Sequence, residues 1–234
     1  MYGWVIVGTL SYRRAVIEKE TQNDYFDRLE RQKAFTEARY KALSAQPGAD
    51  PQELQSAEES LAMIYWESKM LPEALELMQK VVEHKASTTD DSKYNQPWID
   101  SMLKLASIYR DLNNWDACEN TYKTILEYDL KRLPDDDPKV ARDYNNLGVF
   151  HFMKGTGQED REERRANFSS AEDYLGKAIG IYRKANGEGS PAEGNCLWNL
   201  YLVLREQGRN KEARAVKATA EAIDKKQNRV CTAP

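Results

Sequence analysis

Apolar side chains recur every three to four residues along most of this chain, the period of a helix that buries one face. In residues 12–45 they fall at Val16, Ile17, Tyr25, Leu29, Phe35, Ala38 and Leu43, with no Gly or Pro between. That stretch predicts one long helix or a degenerate helix pair. Gln46-Pro47-Gly48-Ala49-Asp50-Pro51 then breaks the pattern as a turn does.

Beyond Pro51 the pattern repeats. Each unit places a Leu before a small residue, with an aromatic or apolar residue three further on. Leu61-Ala62-Met63-Ile64-Tyr65 and Leu105-Ala106-Ser107-Ile108-Tyr109 are the clearest cases. Leu147-Gly148-Val149-Phe150-His151 and Leu200-Tyr201-Leu202-Val203-Leu204 are weaker ones. Ala62 and Ala74 are 12 apart, as are Ala106 and Cys118, and Tyr201 and Ala213. Short turns such as Asn113-Asn114 and Gln207-Gly208 fall between them. The pattern predicts helix pairs whose backbones approach closely at the small residues. From Gly148 to Ala171 the spacing is 23, an excess of 11 carried by Gly155-Thr156-Gly157 and the charged residues after it. The charged run at residues 160–165 reads as a solvated loop. Successive units are spaced 44, 42 and, with that insert removed, 42 residues.

These features resemble the tetratricopeptide repeat, in a form longer than the ~34-residue standard. Asp135-Asp136-Asp137-Pro138 followed by Asn145-Asn146-Leu147-Gly148 is similar to the repeats of kinesin light chains and their bacterial relatives. The resemblance implies an all-α fold: a right-handed superhelical array of antiparallel helix pairs, an α-solenoid, preceded by a long N-terminal helix. It divides the chain into an apolar segment at 1–10 and a helix or degenerate repeat at 11–50. Four repeats follow at 51–227, with an insert at about 155–168, a C-terminal capping helix at 212–227 and a tail at 228–234.

In such arrays the first helix of each pair lines a concave groove. The residue before the Leu and the one four earlier share a face. Those pairs are Ser56 and Ser60, Asp100 and Lys104, Arg142 and Asn146, and Asn195 and Asn199, all polar. The resemblance gives Asn146 and Asn199 the task of pairing with a peptide backbone, since an amide both donates and accepts. The alternative is that they brace neighbouring helices. Trp66, Arg110, Phe152 and Arg205 lie further along the same face, as aromatic anchors and partners for acidic groups. A chaperone-type carboxylate clamp is not expected, because no later first helix supplies its remaining basic residues.

Charge and composition narrow the function. Lys and Arg number 34 against 38 Asp and Glu, so no basic surplus marks a nucleic-acid binder. Cys118, Cys196 and Cys231 form neither a disulfide framework nor a zinc motif, which suits a reducing, cytoplasmic setting. No phosphate loop, metal-binding His-Glu pair or nucleophile motif is present, so neither an enzyme nor a cofactor is expected. His151 stands where the repeat carries an aromatic and reads as a packed residue. Residues 1–10 are apolar but span about half of the ~20 that a membrane helix needs. They read either as a buried helix start or as the end of a membrane anchor. Two functions therefore stand: a scaffold that binds a partner protein or extended peptide in the groove, and a membrane-tethered assembly factor that uses its convex face or N-terminal helix.

Overall fold

Capping chemistry sets where the helices begin. In the computed structural model, which describes residues 22–87 and 93–231, they are α1 (Gln22–Ala45), α2 (Pro51–Glu67), α3 (Leu71–Ser87), α4 (Gln96–Asp111), α5 (Trp115–Arg132), α6 (Pro138–Thr156), α7 (Arg161–Asn186), α8 (Pro191–Glu206) and α9 (Asn210–Cys231). No strand occurs among the described residues. The chain is all-α, built from antiparallel helix pairs. Four first helices start on a side-chain cap with Pro just inside: Asp50 for α2, Asn95 for α4, Asp137 for α6 and Ser190 for α8. Each cap accepts a hydrogen bond from a first-turn N–H that would otherwise be unpaired, and the fixed φ of Pro suits that position.

One turn closes three of the pairs. Lys69, Asn113 and Gly208 each stand eight residues after the repeat Leu, and each has a positive φ, of 62°, 57° and 77°. The N–H one residue later bonds back five residues, Met70 to Tyr65, Asn114 to Tyr109 and Arg209 to Leu204. This Schellman geometry stops the first helix and reverses the chain.

The third pair lacks that turn. Gly155, eight residues after Leu147, stays helical, so α6 runs on to Thr156 and α7 is 26 residues long. Residues 160–165, expected as a solvated loop, are instead a cap and the start of α7. The Asp160 carboxylate accepts from the N–H groups of Glu162 and Glu163 at 2.9 and 2.8 Å. Two acids in the first turn face the positive end of the helix, and no Gly or Pro follows until Gly176. The insert is therefore a lengthened helical hairpin, closed by Phe168 against Phe152 and against the bare α-carbon of Gly155. Asp160→Ala is expected to cost about 1 kcal/mol. It should speed amide exchange in the first turn of α7 and leave α8 unchanged.

The chain divides into two compact units, whose described parts are residues 22–121 and 122–231. In the first, Ala62 and Ala74 are fully buried, and the Cys118 thiol donates to the Ala106 carbonyl at 3.2 Å. There α1 packs on α2 through Leu29, with Tyr25 donating to Glu67 and Tyr65 to Glu37. Phe35 does not join this face and is 71% exposed. Six residues at ~100° each turn it about 120° away from Leu29 around α1.

In residues 122–231, Gly148 brings α6 against Leu175 of α7. The fourth pair departs from the expected pattern, because Tyr201 fills its small position. Its close approach comes at Gly194, where an added Cβ would lie 3.1 Å from Ile223 of α9. Ala213, Ala220 and Ile223 of α9 are buried and Val216 half-buried. That helix continues to Cys231, past the expected end at 227, because no breaker intervenes. The apolar segment 1–10 lies outside the described residues, and no described helix is long and apolar enough to cross a membrane.

Candidate functional site

The first helices carry polar side chains on one face, held differently in the two units. In residues 22–121, Glu59 of α2 lies between two ammonium groups. Lys85 of α3 reaches its Oε2 at 2.6 Å and Lys104 of α4 its Oε1 at 2.5 Å. Ser101 links to both Lys85 and Glu59. Burial works against the Glu59 charge, but the two lysines outweigh it and hold the carboxyl below its ordinary value. Seven residues further along both helices, at Trp66 and Asp111, a second cluster forms with the acid on α4. Asp111 accepts from the indole of Trp66 at 2.9 Å and from Arg110 at 3.0 and 3.1 Å, with Lys69 at 3.6 Å. Each carboxylate thus serves two cations. Ser56, Ser60 and Asp100 are exposed on the same helices, with the Ser60 hydroxyl bonded to the Ser56 carbonyl.

In residues 122–231 the two expected groove asparagines turn inward. Asn146 and Asn199 are only 5% and 2% exposed. Asn199 donates to Asn145 across α6 and α8 at 3.0 Å, and the Cys196 thiol donates to the same oxygen at 3.3 Å. Asn199 thus braces two first helices. Arg142 is drawn onto Asp143 and Asp129 at 2.9 and 3.3 Å. Burial and the neighbouring Asp129 push the Asp143 carboxyl up to about 8, against the pull of Arg142. Burial, and then Glu193, raises the Cys196 thiol to about 12, so it carries no thiolate chemistry. Asn195 is half-buried. Arg205 is exposed, with its guanidinium over the Tyr201 ring and bonded to Glu206. Phe152 packs on Phe168. His151 is buried and stacked on Tyr174.

Sequence reasoning missed the acids that position these groups: Glu59, Asp111, Asp129 and Asp143. A signal existed for one of them. Asp143 stands four residues before Leu147, inside the apolar stripe, where a carboxylate requires a partner. Among the described residues, no group of three or more His, Cys, Asp or Glu side chains could hold a metal ion.

No protein-family model matches the chain, and no curated protein matches it. Solved structures do. A protein of nearly identical TPR-like repeats from Podosopora anserina, described as a kinesin light chain, superposes with a TM-score of 0.67 at 17% identity, covering 94% of this chain and 97% of that one. BtubC from P. vanneervenii gives 0.65 at 19% identity over 88% and 76%. The Rap conjugation gene regulator of plasmid pLS20, solved with the Phr* peptide, gives 0.57 at 18% over 87% and 51%. The fold is that of TPR-like repeats. Identities this low establish the architecture of such a repeat protein, and function has to be argued from the side chains.

Proposed function

We propose that the chain is a protein-interaction scaffold whose TPR-like repeats, residues 51–227, hold a partner protein or an extended peptide against their first helices. The observation that carries this reading is the face of α2 and α4. Trp66, Lys104 and Arg110 are partly open to solvent, and each is already oriented by Glu59 or Asp111. A side chain fixed before binding loses less entropy on binding, and aromatic and Arg groups are the usual anchors of interfaces. In the Rap regulator the same fold is found with a peptide, which supports the peptide form of this reading.

Binding of the full chain to an array of linear peptides is the test. Lys104→Ala/Arg110→Ala is expected to weaken selected peptides by at least tenfold, about 1.4 kcal/mol, measured at a temperature where both chains are folded. Equal affinity for the double variant and the parent chain would overturn the reading for residues 22–121. Asn146→Ala puts the same question to residues 122–231. Loss of binding without loss of stability would assign that side chain to the ligand, and loss of stability alone would assign it to bracing.

A further inference from the structure

The chain passes from α7 to α8 through Asn186-Gly187-Glu188-Gly189-Ser190. No other asparagine in the sequence precedes a glycine. Asn186 is the last residue of α7, and both it and Gly187 are exposed to solvent. An added Cβ at Gly187 would meet nothing within 4 Å, so the space beside its nitrogen is open. An amide side chain followed by so bare a nitrogen is placed for ring closure. The Gly187 nitrogen, once its proton has passed to solvent, attacks Cγ of Asn186, and the side-chain nitrogen leaves as ammonia. Water then opens the cyclic imide at either carbonyl. The side-chain amide has become a carboxylate, on an aspartyl or an isoaspartyl backbone.

The folded chain opposes that attack in two ways. The Gly187 N–H donates to the Arg183 carbonyl at 3.0 Å, the bond that ends α7, so the nucleophile is already engaged. Asn186 is also helical, and a ψ of about −42° holds its Cβ well out of the plane of the following peptide. Ring closure therefore waits for the last turn of α7 to open, a local event short of unfolding. Glu193 of α8 resists that opening. It accepts from the Arg183 guanidinium and from the Gly189 N–H, both at 2.6 Å, and so holds the connection from both sides of Gly187.

We propose that Asn186 is a site of spontaneous deamidation, controlled by opening of the last turn of α7, and that the carboxylate it leaves loosens the connection to α8. The new charge stands at the negative end of the α7 dipole, where it is unfavourable. An isoaspartyl link also adds a main-chain carbon just before a turn that must deliver the Gly189 N–H to Glu193.

Peptide mapping by mass spectrometry of the intact chain, kept folded at mildly alkaline pH, measures conversion at Asn186. A synthetic peptide of residues 181–192 serves as the unfolded reference. The folded chain should react at this position, but more slowly than the peptide. Hydrogen exchange reports the release of the same nitrogen, so the retardation should match the protection factor of the Gly187 amide within a few-fold. Glu193→Ala should raise the rate several-fold toward that of the peptide. The isolated isoaspartyl form should unfold at lower urea than the parent chain and exchange faster in the first turn of α8. Conversion as fast in the folded chain as in the peptide would overturn control by opening. No conversion in the parent or in Glu193→Ala, while the peptide converts, would remove the site, and an isoaspartyl form as stable as the parent would remove its consequence. Should Glu193→Ala fail to fold, a mismatch between retardation and protection in the parent chain decides against the proposal without any variant.

Discussion

A chain carrying Gly148→Ala is expected to lose about 1–3 kcal/mol of stability through overpacking. An added Cβ at that position would lie 2.7 and 2.9 Å from Cγ and Cδ2 of Leu175 and 3.3 Å from the Ala171 carbonyl. Neither neighbour can move easily. Leu175 is fully buried, clustered with Phe168, Ala171 and Val203, and the carbonyl belongs to the backbone of α7. The better helix propensity of Ala works the other way by up to ~1 kcal/mol and sets the low end of the range. Leu175→Ala by itself should cost about 2–5 kcal/mol by opening a cavity. Together the two losses should not add. The methyl at 148 occupies space that Leu175 vacates, so the double variant should fall short of the sum by ~1–2 kcal/mol. Urea unfolding of the three variants closes the cycle. Simple additivity would mean that α6 and α7 do not meet at these residues.

Glu193→Ala is expected to cost about 2–4 kcal/mol, the loss of two charge-assisted hydrogen bonds moderated by partial recovery of the donors in water. Glu193 is 2% exposed. Its carboxylate accepts from the Arg183 guanidinium and from the Gly189 N–H, both at 2.6 Å, and its own N–H donates to the Ser190 cap. One side chain thereby joins the end of α7, the connecting turn and the start of α8. Gly187 and Gly189 both have positive φ, so that turn relies on glycine backbone and gains its order from Glu193. Arg183 is half-exposed and regains water when the acid is removed, which keeps the cost below that of a wholly buried pair. Glu193→Gln, which preserves shape but not charge, should lie between the parent chain and Glu193→Ala. Amide exchange should rise first in the first turn of α8. An effect of Glu193→Ala within about 0.5 kcal/mol, the range of an ordinary surface change, would contradict this account.

Both sites rest on residues whose importance local sequence conveys unequally. Gly148 was legible as a close approach because it stands in register with Ala62 and Ala106, and a repeat compares each position with its equivalents. Glu193 was not, because it sits three residues after Ser190 at a helix start, where an acid has a local role already. Its bond to Arg183 crosses from one helix to the next. The same distinction explains the groove. Ser60, Lys104, Asn146 and Asn199 occupy one repeat position, yet Ser60 is exposed, Lys104 is held by Glu59, and the two asparagines are buried. Equivalent positions share a helix face, but neighbouring side chains decide how far each one reaches.

Gly155 marks the corresponding limit for the backbone. It holds the turn position of its repeat, and in the other three pairs that position reverses the chain. Here Asp160 caps a helix further along and Phe168 covers Gly155, so the turn moves outward and the insert becomes helix.

The order of helices, their pairing and the small residues at their contacts were determined by the sequence itself. They follow from periodicity, caps and breakers, which act over a few residues and recur in most of the repeats. Tertiary structure alone decided that Arg142 turns to two buried acids, that Asn199 ties α8 to α6, and that Glu59 and Asp111 each hold two cations. Those outcomes depend on charge, burial and distance between helices far apart in the chain, and packing sets all three.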